Sequence, residues 1–137
     1  MVRAEVIRKR LNKLEEYLVI LFKLQRYNRE EFMSDAEHYG SAERFLQLAI
    51  ESITDMGNHV IADMELGVVN SYSDIPLILS QHGYLSDDLK ETWIRMIGFR
   101  NTLVHEYIDI DRDIVYNVLQ NNLQDIKKLK MVFAQFL

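Results

Sequence analysis

Residues 98 to 107 read Gly98-Phe99-Arg100-Asn101-Thr102-Leu103-Val104-His105-Glu106-Tyr107, and no other segment of the chain collects so many chemically capable side chains. Arg100 carries a permanent planar cation whose N–H fork can grip a phosphate bidentately. His105 can give or take a proton near neutral pH. Together they suit phosphodiester chemistry, with Asn101 adding donor and acceptor capacity beside the arginine and Tyr107 placing a phenol two residues beyond the histidine.

The rest of the chain reads as helices that hold this segment. Ile7, Leu11, Leu14, Leu18 and Leu21 recur in alternating steps of four and three, predicting a helix over about residues 3 to 25 with one buried stripe. Residues 28 to 39 read as a polar, acid-rich turn or short helix ending at Gly40. Ser41 is a candidate N-cap for a second long helix with Ala42, Leu46, Ala49, Ile53, Met56 and Val60 on one face, stopping near Gly67. Gly57 inside it costs on the order of 1 kcal/mol relative to alanine, which points to a close helix contact or a slight kink.

Residues 66 to 76, with Gly67 and the single proline, Pro76, form the main connecting loop. A short helix follows over about 74 to 82, with Gly83 as its stop. Ser86-Asp87-Asp88 starts the helix that carries Leu89, Trp93, Met96 and Ile97 into the motif. Asp109 to Asp113 starts one final helix through Val115, Leu119, Leu123, Ile126 and Phe133. The expected fold is all-α, a single domain over 1–137, built as an up-and-down bundle of four long helices plus short ones.

Composition agrees with a soluble domain: 137 residues, 48% apolar, 27% charged, enough for one core. Without cysteine there is no disulfide framework, thiolate metal site or thiol nucleophile. The start of the chain lacks a signal-peptide core and no apolar run reaches membrane-spanning length, so a cytoplasmic protein is expected. The net charge of −5 weighs against indiscriminate nucleic-acid binding. Basic residues concentrate early, with eight Lys/Arg against four Asp/Glu in residues 1 to 30. They read as a solvated helix face, or as contacts for RNA phosphates or an acidic partner.

Arg100-Asn101, three residues, then His105-Glu106-Tyr107 resembles the signature of the HEPN superfamily. The spacing to Tyr107 is that of its HepT branch, the toxin halves of prokaryotic HEPN/MNT toxin–antitoxin pairs. The similarity extends to chain length, helical order and the aliphatic stretch before Gly98. It implies a homodimer whose two motif segments share a cleft, an RNA substrate, and a cognate MNT nucleotidyltransferase antitoxin that modifies Tyr107 with AMP units. The modification would add phosphate charge beside Arg100 and block the cleft.

On a regular helix Arg100 and His105 project roughly 140° apart, so one straight helix cannot aim both at one phosphate. Either the helix frays between Thr102 and His105, or a second subunit supplies the complementary group across a two-fold axis. Gly98 would then permit close approach of backbone or RNA. A metal-independent ribonuclease reaction can be written for such a cleft, with Arg100, Asn101 and His105 as catalytic residues and no cofactor. A non-catalytic helical module that binds nucleotide or anchors a partner is the alternative.

The other histidines carry less. His38 and His82 are expected at the surface, and His59 as a partly buried structural residue. Asp35 and His38 are spaced like the carboxylate-x-x-His element of di-iron bundles, but a matching second element is missing from the sequence, so no metal site is expected. Gly-x-Ser-x-Gly, Walker and dinucleotide motifs are likewise absent.

Overall fold

The leucine stripe of the first segment winds into α1 (Ala4–Leu24), where Ile7, Leu11, Leu14, Leu18 and Leu21 are all buried. The structure is a computed structural model and describes residues 1–106 and 108–137. Among them the helices that follow are α2 (Arg29–Ser34), α3 (Ala36–Met64), α4 (Asp74–Gln81), α5 (Asp87–His105), α6 (Arg112–Asn121) and α7 (Leu123–Ala134). The long helices alternate in direction, as the up-and-down expectation requires. Contacts between α1 and α3 run from Arg3–Asp63 through Arg10–Asp55 to Tyr17–Phe45, rising along one helix as they fall along the other. The same reversal links α1 to α7 through Glu15–Lys130 and Phe22–Lys127.

Trp93 on α5 sits at the centre, fully buried. Its indole N–H donates to Thr54 Oγ1 on α3 at 3.3 Å, which satisfies the one polar group that this large side chain brings into the core. Phe133 of α7 meets it edge-on at 5.8 Å. Gly57 makes the close approach possible: a Cβ there would lie 2.5 Å from Ile75 Cγ2 and 2.9 Å from Trp93 Cη2. Of the two sequence readings of Gly57, close contact is the one found.

Three features differ from expectation. The second long helix starts at Ala36, six residues before the position that Ser41 as its cap would give, because Asp35 is extended and its carboxylate accepts the Glu37 N–H at 2.8 Å. Gly40 lies inside that helix. The early turn is held by His38, whose Nδ1 donates to the Glu31 carbonyl at 2.8 Å and whose ring stacks on Tyr27 at 3.7 Å. His38 is therefore a packed residue, with its side chain 19% exposed, rather than a surface one. Preceding it, α2 starts at a capping box in which Asn28 and Glu31 satisfy one another's backbone N–H.

The third difference is at the C-terminal end, where one expected helix is two, parted at Asn122. Gln25 accounts for the break. Its side-chain amide donates to the Leu119 and Gln120 carbonyls at 3.1 and 3.4 Å, while Gln120 donates back to the Gln25 carbonyl at 2.9 Å. Carbonyls at the end of α6 are thus satisfied without a following turn.

Half of the eight early basic residues are answered within the fold. Arg3, Arg10, Lys13 and Arg29 pair with Asp63, Asp55, Glu16 and Asp113. Among the described residues no helix is long and apolar enough to cross a membrane.

Candidate active site

Gly98 to His105 occupy the last two turns of α5, a helix whose start is fixed by Ser86 accepting the Leu89 N–H. The helix continues through His105, and the Glu106 N–H still bonds the Thr102 carbonyl at 2.9 Å. Fraying between Thr102 and His105 is therefore excluded within the chain. Arg100 and His105 remain roughly 140° apart about one axis.

Arg100 lies half-buried against α3. Its Nε and Nη2 both donate to Glu51 Oε1, at 3.1 and 2.9 Å, and its Nη1 donates to Asn101 Oδ1 at 3.2 Å. The Tyr72 ring lies 5.6 Å from the guanidinium carbon. Three of the guanidinium's N–H groups are engaged by Glu51 and Asn101, and the others are left to meet a phosphate. An ion pair at the edge of the core fixes the long arginine side chain, so less freedom is lost when an anion arrives.

Asn101 and His105 are both exposed and one turn apart, hence on one face. Gly98 and Thr102 are exposed on that same face, and a Cβ at Gly98 would meet nothing within 4 Å. The structure thus brings Arg100 and Asn101 together and places His105 beside Asn101, on a stripe of α5 that the described residues leave uncovered. Tyr107 lies outside the described residues. His59 is partly buried, as expected, next to Arg3 and Asp55, and exposed His82 bonds the Ile78 carbonyl.

Sequence reasoning missed Glu51. A carboxylate flanked by Ile50 and Ile53 lies at the border of a buried face, where an acid needs a partner. That signal announces a partner without saying which, and Arg100 is 49 residues away. Tyr72 and Asn58, beside the arginine, gave no signal at all. Both line an open groove between α3, α4 and α5.

Known proteins share this fold. A family model described as "Ribonuclease HepT-like" matches residues 7–132. The chain belongs to that family. This bears out the HepT resemblance carried by Arg100 through Tyr107. The chain is 32% identical over 83 residues to a Shewanella oneidensis protein named mRNA nuclease HepT, a match covering 61% of this chain and 62% of that one. With a protein of Aphanizomenon flos-aquae named tRNA nuclease HepT it shares 29% identity over 119 residues, 87% of this chain and 81% of the relative. Among solved structures, the tri-AMPylated HEPN toxin of Shewanella oneidensis in complex with MNT antitoxin superposes with a TM-score of 0.87. That likeness covers 95% of this chain and 97% of the toxin at 25% identity. The all-helical HepT-like fold is thus that of the HEPN toxin structures.

Proposed function

We propose that this HepT-like chain is a metal-independent endoribonuclease, a toxin that acts as a homodimer in the cytoplasm and is neutralised by an MNT-type nucleotidyltransferase. One observation supports the reading above others. Arg100 is held by Glu51 and Asn101 at the rim of an open groove, next to an exposed stripe with His105 at its end. Because a continuous α5 cannot turn both groups to one phosphate, a second copy of the stripe, facing the first across a two-fold axis, would complete the set. Gly98 would lie where the two helices approach most closely.

In that cleft the RNA 2′-hydroxyl oxygen attacks the adjacent phosphorus while its proton passes to one His105. The bond from phosphorus to the 5′-oxygen breaks, and that oxygen receives a proton from the second copy of His105. The products are a 2′,3′-cyclic phosphate and a 5′-hydroxyl. Arg100 stabilises charge on the non-bridging oxygens, worth about 3 kcal/mol by analogy with other preorganised donors, and Asn101 orients Arg100. That relatives are an mRNA nuclease and a tRNA nuclease by name supports RNA as substrate, and the AMPylated, antitoxin-bound toxin supports the partner. On the motif's resemblance, Tyr107 is the phenol that receives AMP.

Co-expression tests the pairing. Wild type should arrest growth alone and be silenced, with a gain of AMP mass, by a cognate nucleotidyltransferase. An active chain that the transferase silences without any mass change would contradict the modification.

A further inference from the structure

Two cavities of about 570 and 480 Å³ open beside the motif, and both are lined by Asn58, Tyr72, Ile75 and Ile97. They are lobes of one groove. Arg100 borders the first lobe and Asn101 the second, so the hydrogen-bonded pair straddles its rim. Each lobe is of a size that takes a small organic ligand.

The lining has the chemistry of a base-binding surface. Ile75 and Ile97, at 1% and 3% exposure, give an apolar floor. Tyr72 lines the same groove and is 54% exposed, its ring 5.6 Å from the Arg100 guanidinium carbon, although a large aromatic side chain on a loop ordinarily gains by folding inward. The loop that carries it is nonetheless tied on both sides: the Asp74 carboxylate accepts the N–H groups of Asn70 and Ser71 at 2.9 and 3.1 Å, and the Tyr72 carbonyl accepts the Ile75 N–H at 3.1 Å. An exposed aromatic on a tied loop is preorganised for stacking. Asn58, exposed on α3, presents a carboxamide with both donor and acceptor, the group that reads base edges. Gly57 beside it lets α4 and α5 close against α3 and so shapes the groove.

We propose that this groove is a nucleobase subsite, in which Tyr72 stacks on a base of the RNA and Asn58 reads its edge. The base belongs to the nucleotide whose phosphate Arg100 grips. The subsite thereby sets sequence preference at the cut, and in this respect it rests on the ribonuclease reading above. No motif residue is needed for the discrimination itself.

The test uses adduct-free full-length protein as wild type, Tyr72→Ala, Tyr72→Phe and Asn58→Ala. Cut sites are mapped on a random-sequence RNA. Wild type should prefer one base next to the cut. Tyr72→Ala should raise KM about tenfold or more with a smaller change in kcat, Tyr72→Phe should retain the wild-type KM, and Asn58→Ala should flatten the preference. In parallel, fluorescently labelled 2′-O-methyl tetranucleotides of A, C, G and U, which lack the attacking hydroxyl, report binding by anisotropy. Wild type should bind one of the four best, and Tyr72→Ala should lose that advantage. Equal binding of all four by wild type overturns the proposal, even if Tyr72→Ala fails to fold. So does cleavage that depends on His105 but is indifferent to Tyr72 and Asn58. Base-selective, Tyr72-dependent binding without any cleavage by wild type would instead sustain the subsite and remove the catalytic reading.

Discussion

Arg100 Nε and Nη2 converge on a single oxygen of Glu51, at 3.1 and 2.9 Å, so the motif arginine is already paired before any phosphate arrives. Glu51 is the more exposed partner, at 35% against 19%. An arrangement of this kind can orient a cation or restrain it. The remaining guanidinium N–H groups and the open rim favour orientation.

Replacing Glu51 distinguishes the two. Glu51→Gln keeps the shape and an acceptor oxygen but removes the charge that strengthens both bonds, which at a partly exposed pair matters more for aiming Arg100 than for the fold. The expected outcome is a fall in kcat/KM of roughly ten- to a hundredfold, with an unchanged melting profile. A rise in activity would make Glu51 a brake on Arg100.

His105 is exposed at the end of α5, and the fold does not lean on it. His105→Ala should melt like wild type while cleavage falls by about 10²–10⁴. Arg100→Lys should also lose activity, since a point charge cannot reproduce the fork that meets both Glu51 and phosphate. Circular dichroism run with the cleavage assay separates this outcome from unfolding.

Gly57 and Gly98 should respond oppositely. Gly57→Ala forces a Cβ onto Ile75 and Trp93, and overpacking of about 1–3 kcal/mol exceeds the gain in helix propensity of roughly 1 kcal/mol. Its melting temperature should fall by several degrees. A Cβ at Gly98 meets nothing within 4 Å among the described residues, so Gly98→Leu should leave the isolated fold at least as stable as wild type. On the dimer reading its bulk separates the two α5 stripes, and sedimentation should show monomers that do not cut RNA. A fully dimeric, active Gly98→Leu would contradict that cleft.

The architecture was legible wherever a signal was local: the leucine stripe of α1, the Ser86 cap of α5 and the glycine stop after α4. The break at Asn122 was not, because its cause lies elsewhere in the chain, and the Asp35 cap was passed over for Ser41 although its bond to the Glu37 N–H is local. His38 packs on Tyr27, and Gln25 reaches the end of α6 from 94 residues away. The motif was visible as a string of residue types. Its partners Glu51, Asn58 and Tyr72 come from other elements and carry no spacing rule of their own.

Stability should depend on pH through the Arg3–Asp63 clamp that ties the start of α1 to the end of α3. The hydrogen bond from the Arg3 side chain, first among several causes, holds the Asp63 carboxyl below its ordinary 3.8. A depressed folded-state pKa contributes stability above the unfolded value, and that contribution is lost as pH falls through the folded value. Arg3→Ala should therefore melt lower than wild type near pH ~6, and the gap should close toward pH ~3. A gap of constant size would assign the effect to packing.

Cleavage of RNA in EDTA by adduct-free, dimeric protein tests the central claim most directly, with wild type and His105→Ala side by side and product ends identified. Cyclic-phosphate and 5′-hydroxyl ends from wild type alone are the predicted result. If the wild-type dimer leaves a broad panel of RNAs intact, or if cutting requires added metal, the chain is not the metal-independent ribonuclease described. In the first case it is a non-catalytic helical module that binds nucleotide or anchors a partner.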